Sequence, residues 1–224
     1  MGSRLKLGVL SGNGNTVDND NMETATLHGF GYGLLLADLI EPFLLQYYAV
    51  SAHAYTRGTW IAPESAPIDH STQAPSFCAP AGVVAPLNLK WMLLFEDPNT
   101  HTLWVGRAVP RVWLQEHQNV SVRNAPTAYG RISFIFKSVI DSANKIHVSV
   151  VWSKSGFTPE GGLRVRVRVP MLKGRVVRRI KEVYLADGQL WSKVNVDDET
   201  IDFSSEDLQS NIAPLMVNMT VMYA

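Results

Sequence analysis

The residues best suited to chemistry lie between Ser51 and His70, where His53, Tyr55, Arg57, Trp60, Glu64, Asp69 and His70 fall within one short span. Glu64 and Asp69 place two carboxyl groups close together in sequence, and Glu23 adds a third from an earlier segment. Two carboxyls flanking a bond are what glycoside hydrolysis requires, about 5–5.5 Å apart for retention or roughly 6.5–9.5 Å for inversion. In that chemistry Glu64 acts as the acid and Asp69 as the base or nucleophile. Tyr55 and Trp60 offer ring faces for sugar stacking, Arg57 offers donors for hydroxyls, and His53 stands at the start of the stretch. A purely structural reading competes with this one: Arg57 pairs with Glu64 or Asp69, and Trp60 fills a core.

Other chemistries find less support. The six histidines show no metal-ligand spacing such as H-E-x-x-H, so neither a metal nor another cofactor is expected. His53, His70 and Asp69 supply at most half of a metal site. No G-x-S-x-G elbow occurs, and Cys78, set among Pro, Ala and Phe, reads as a small hydrophobe. The Asn/Asp-rich run over residues 11–21 lacks the Gly and Glu of a calcium loop and reads as a solvated lead-in whose Asn21 caps a helix.

These residues need elements to hold them. A helix is expected from Met22 to about Ile40, weakened by Gly29, Gly31 and Gly33. Glu41-Pro42 marks a boundary, and a second, largely buried helix runs from Phe43 to about Tyr55. A long loop over residues 56–82 carries four prolines. The apolar helical pattern returns from Ala81 to Phe95. From Leu103 onward the texture is β-branched, roughly alternating and broken by turn signals, as in an antiparallel sandwich or jelly roll. In Arg164-Val165-Arg166-Val167-Arg168-Val169, strict alternation predicts valines inward and arginines on an exposed face. The fold class is α+β. A lead-in covers residues 1–21, a helical hairpin region 22–98 and a β-sandwich domain 99–224.

Composition bounds the partners. The chain has 224 residues, of which 46% are hydrophobic, and its 20 basic and 20 acidic residues cancel to a formal charge of +0. Bulk charge therefore steers no nucleic acid. Eight Lys/Arg between Arg164 and Lys181 are matched by eight acids between Glu182 and Asp207, which suggests cross-strand ion pairs. One cysteine excludes an internal disulfide and leaves the compartment open, cytoplasmic or secreted. The N-terminus carries no convincing signal peptide. Asp38, Glu41 and Pro42 interrupt the apolar run from Tyr32 to Val50, so no bilayer-spanning helix is expected.

Three groups of residues bear a family likeness. They are Ala54-Tyr55-Thr56-Arg57-Gly58-Thr59-Trp60 with Ala62-Pro63-Glu64, then Phe95-Glu96-Asp97-Pro98 with Leu103 to Leu114, and Asn124-Ala125-Pro126-Thr127-Ala128-Tyr129-Gly130-Arg131-Ile132-Ser133-Phe134. With the order of segments, they make the chain resemble the C-terminal end of bacterial six-hairpin glycosidase-like proteins. The resemblance implies an (α/α)6 toroid followed by a β-sandwich, a carbohydrate substrate and hydrolysis of O-glycosyl bonds. A complete toroid needs twelve helices, and this chain has room for about three. The likeness thus implies a last hairpin plus the whole sandwich, or a non-catalytic sandwich that binds glycan or packs on a partner domain. Helical surface left uncovered by missing hairpins would favour self-association through residues 22–55 and 81–95.

Overall fold

The structure, a computed structural model, describes residues 5–6, 9–10, 21–23, 27–53, 61–67, 77–139, 144–171, 179–209 and 214–224. The chain divides into two compact units, residues 1–91 and 92–224. The fold is α+β, with a small helical part preceding a β-rich domain.

In the first unit, β1 (Leu5–Lys6) pairs antiparallel with β2 (Val9–Leu10), and β3 (Asn21–Glu23) pairs with β4 (Ser65–Pro67). Between them come helices α1 (Leu27–Leu36) and α2 (Ile40–His53), and after them α3 (Ala79–Leu93). The core joining the helices is built of small side chains, Ala49, Val50, Ala62, Ala81, Val84 and Ala85 around Leu27, with Phe30 and Cys78 packed against it. Such short side chains let backbones approach closely. Gly31 shows how closely: a Cβ added there would lie 2.7 Å from Asn88 Oδ1 and 3.2 Å from Gln46 Oε1. Both amides are buried. Gln46 Nε2 donates to the Leu27 carbonyl at 2.9 Å, which ties α2 to the first turn of α1. No described helix is long and apolar enough to cross a membrane.

The helix boundaries differ from the expected ones. The stretch from Met22 to Ile40 is not one helix. Residues 21–23 bond along a ladder instead, so Asn21 is a strand residue. The corner falls at Asp38 rather than at Glu41-Pro42. Asp38 adopts φ 55, a left-handed conformation that aspartate tolerates better than most residues, and Leu39 N–H closes the turn on the Leu34 carbonyl at 2.8 Å. Helix α2 therefore starts at Ile40, with Pro42 in its first turn, where a missing N–H costs nothing. Helix α3 begins two residues early, takes Pro80 into its first turn and accommodates Pro86 inside. It stops at Leu93, so Leu94 and Phe95 are strand residues.

The second unit is a sandwich of two five-stranded sheets. One has the order β12 (Val194–Asn195), β13 (Thr200–Phe203), β10 (Leu163–Arg166), β6 (Thr102–Val105), β5 (Leu94–Asp97). All its pairs are antiparallel except β10 with β6, which are parallel. The other has the order β11 (Ile180–Leu185), β14 (Leu215–Tyr223), β9 (Lys145–Lys154), β8 (Gly130–Val139), β7 (Asn119–Thr127) and is antiparallel throughout. Inward residues alternate along the long strands: Ile132, Phe134 and Phe136 on β8, Ile146, Val148, Val150 and Trp152 on β9, Met219, Val221 and Tyr223 on β14. They meet Leu103, Val105, Leu163, Val165, Ile201 and Phe203 of the facing sheet in one apolar core. Trp152 is fully buried because its one polar atom is satisfied: Nε1 donates to the Tyr129 carbonyl at 3.0 Å.

Candidate functional site

The structure reaches only part of the stretch singled out by sequence. Tyr55, Arg57, Trp60 and Asp69 lie outside the described residues. His53 is the last residue of α2, and Glu23 closes β3. Glu64 is solvent-exposed, directly before β4. Backbone pairing brings the segments that carry two of the three candidate residues together. In the β3–β4 ladder Glu23 stands opposite Ser65, the neighbour of Glu64. Opposed residues of an antiparallel pair have Cα atoms about 4.5–5.5 Å apart. A segment read from sequence as plain loop thus carries a strand that draws in a residue some forty positions earlier. On its other side the segment is anchored by a bridge between Pro63 and Phe77 and by a bond from Cys78 N–H to the Ala62 carbonyl at 3.1 Å. Among the described residues no group of three or more His, Cys, Asp or Glu is arranged to hold a metal ion.

A second concentration of charged and aromatic groups was legible only as a solvated face. Arg166 and Arg168 are buried, which corrects the expected row of exposed arginines; only Arg164 keeps an open aspect. Arg168 Nη1 reaches the Val109 carbonyl at 3.5 Å, and for Arg166 the reason is the neighbouring strand. Register places Trp104 of β6 opposite Arg164, and its indole gathers guanidiniums. Arg107 lies 4.0 Å from the ring centroid, Arg166 5.0 Å and Arg164 5.2 Å. Cation–π stacking on a desolvated ring is worth about 2 kcal/mol, enough to help a planar cation stay under cover. Arg164 also pairs with Asp202 across the β10–β13 ladder at 3.0 Å, an ion pair of the kind the charge pattern suggested. Further along, Glu199 Oε1 accepts from Arg111 Nη1 at 2.6 Å and from the Val169 N–H at 2.9 Å. Arg111 Nη1 lies 2.8 Å from the Val169 carbonyl as well. This knot fastens the chain after β10 to the 3₁₀ turn Arg111–Leu114. It reads as structural.

The third feature is the outer face of the antiparallel sheet. Alternation that sends Val148, Val150 and Met219 inward turns His147, Ser149, Asn218 and Thr220 outward. Register lines these up across the strands, Ser149 between Ile135 and Asn218, His147 between Lys137 and Thr220. His147 Nδ1 and Thr220 Oγ1 are 3.0 Å apart. The face holds a shallow depression of about 270 Å³. A second, of about 320 Å³, adjoins it and shares Ala186 and Asn218. The second is walled by Trp191, stacked on Phe203 with centroids 4.8 Å apart, and by Met216 and Asp207. Asp207 accepts from Lys193 Nζ at 2.5 Å and from Ser204 Oγ and N–H at 2.7 Å. Those bonds, Lys193's first, hold its carboxyl below the usual aspartate range. Sequence reasoning gave these outward residues no part in a binding site. Their signal was the polar half of the alternation, which looks the same in any half-solvated sheet.

No protein-family model matches the chain, and no curated protein matches it.

Proposed function

We propose that this chain acts on carbohydrate as a glycoside hydrolase or a part of one, in keeping with its likeness to the C-terminal end of six-hairpin glycosidase-like proteins. The observation that carries the reading is the β3–β4 ladder, which brings Glu23 within one residue of Glu64 in register. Glu64 is exposed and so within reach of a ligand. In this reading Glu64 serves as acid, Asp69 as base or nucleophile with Glu23 as the further carboxylate, and His53, Tyr55, Arg57 and Trp60 hold the sugar. The test is reducing-sugar release from a panel of polysaccharides. Glu64→Gln combined with Asp69→Asn should abolish release while leaving the thermal melt in place; full activity in that double variant would refute the assignment.

A second reading, glycan binding without turnover by the sandwich, is favoured by a different observation: the outward row of hydroxyl, amide and imidazole groups around the depression on the outer face of the antiparallel sheet. It predicts retention on a polysaccharide with no reducing ends released.

A further inference from the structure

We infer that Phe77, with Ile61 beside it, forms an apolar platform on which a neutral pyranose ring of the substrate lies, one residue from Glu64 across a backbone bridge. This inference rests on the hydrolase reading above and adds to its site a specificity-determining residue from outside the stretch Ser51 to His70.

Pairing sets the direction of these side chains. Pro63 and Phe77 form an antiparallel bridge, and one residue along it the Cys78 N–H donates to the Ala62 carbonyl at 3.1 Å. Residues opposite one another across such a bridge share a face, and their chain neighbours take the other. Ala62 is fully buried in the small-residue core of the helices, and Cys78 packs against that core. Phe77 and Ile61 therefore turn away from it, and their exposure agrees, at 62% and 44%. The backbone also fixes the base of the ring. The Cys78 carbonyl accepts the Gly82 N–H at 3.0 Å, so Phe77 stands immediately before the first turn of α3. A Cβ added at Gly82 would lie 3.5 Å from Phe77 Cε2 and 3.9 Å from Cζ, so one edge of the ring stands beside the bare glycine.

Position then supplies the occupant. Pro63 precedes Glu64, the acid of the proposed reaction, and Glu64 precedes Ser65, which stands opposite Glu23 in the β3–β4 ladder. The chain bends at Glu64, so strand alternation does not assign its carboxyl to the side away from Phe77. An exposed ring and an exposed carboxyl so close along the backbone suit the two aspects of a sugar. The hydroxyls and glycosidic oxygen meet polar groups, and the C–H face meets the electron-rich face of an arene. Residues 61–67 and 77–82 contain no basic side chain, and Glu64 is their one carboxyl. These stretches therefore favour a neutral sugar over an acidic one.

The experiment measures reducing-sugar kinetics of the full chain on amylose, xyloglucan and glucomannan, with polygalacturonate as the acidic comparison, and affinity electrophoresis in gels containing the same polymers. On the neutral polymer hydrolysed best, Phe77→Ala should raise KM about fivefold and leave kcat within about twofold, since a stacking contact persists from ground state to transition state. Phe77→Trp should restore KM. The ring is mostly exposed, so both variants should melt with the wild type. An unmoved KM in Phe77→Ala would overturn the inference, as would a rise that Phe77→Trp fails to reverse or hydrolysis confined to polygalacturonate. A smaller oligomer for Phe77→Ala by light scattering would also overturn it, by giving the platform to a second copy of the chain. Failure of the hydrolase reading looks different. Retardation without release of reducing ends sinks the hydrolase; the platform then stands if Phe77→Ala weakens retardation about fivefold and falls if it does not. Release with KM unmoved by Phe77→Ala keeps the hydrolase and removes the platform, and absence of both release and retardation removes both.

Discussion

The packing at Gly31 makes a demanding prediction, because intrinsic preference and sterics oppose each other there. Replacing a helical glycine with alanine gains about 1 kcal/mol where space allows. At Gly33, on the same helix, a Cβ would meet nothing within 4 Å, so Gly33→Ala should raise stability by up to about 1 kcal/mol. At Gly31 the added carbon would sit 2.7 Å from Asn88 Oδ1 and 3.2 Å from Asn88 Cγ. Asn88 is fully buried on α3 and its side chain is short, so relief requires a backbone or rotamer shift. Gln46, the other neighbour, is pinned by its bond to the Leu27 carbonyl. Overpacking of this kind costs about 1–3 kcal/mol, and loss of the Gln46 bond adds about 1 kcal/mol. After the propensity gain, Gly31→Ala should destabilise by about 1–3 kcal/mol. For a unit of this size that lowers the midpoint by roughly 5–15 °C. Far-ultraviolet circular dichroism on heating is the assay, since the described α-helices all begin in the first unit. A Gly31→Ala protein that melts at or above the temperature of Gly33→Ala would refute the packing account.

Three further outcomes are expected. Glu199→Ala should cost about 2–3 kcal/mol in urea unfolding, less than the full loss of a buried pair because Arg111 is 23% exposed; a change within the scatter of repeat measurements would show the knot to be idle. Asp207 has a lowered folded pKa, so its stabilising contribution exists above the ordinary aspartate range and disappears as pH falls through the lowered value. The stability gap between wild type and Asp207→Asn should therefore be level near neutrality and close in acid, and a gap that widens in acid would contradict the assignment. Helix α2 exposes Leu45 at 57% and Tyr48 at 44%, so we propose that copies associate through this flank; light scattering should show a multimer that Leu45→Glu with Tyr48→Ser dissociates, and a monomeric wild type would contradict it.

How far the sequence could be read depended on what each signal reports. Alternation reports a half-buried strand directly, so β8, β9 and β14 were legible and the α+β class with them. The same signal failed at Arg164–Val169. Alternation says which residues share a face, but whether that face is wet depends on what the next strand presents, and Trp104 is sixty residues away in sequence. Leu94-Phe95 could not be separated from α3, because an apolar run of this length suits either element and no breaker intervenes before Pro98. The corner at Asp38 was misplaced by three to four residues, since proline marks a boundary more loudly than an aspartate able to adopt positive φ. Of the candidate site, residue types were legible but proximity was not. Nothing in the local pattern around Glu23 announces a partner at Ser65.

The placement of β14 has a kinetic consequence. It lies between β11 and β9, both earlier in the chain, so those strands cannot join one sheet until a later segment pairs with both. Until then each presents an open edge of unpaired N–H and C=O groups, the condition that invites edge-to-edge aggregation. Closure requires pairings distant in sequence, which makes for slow assembly. Recovery of native material on refolding should accordingly fall with concentration, and a chaperone that shields strand edges should restore it.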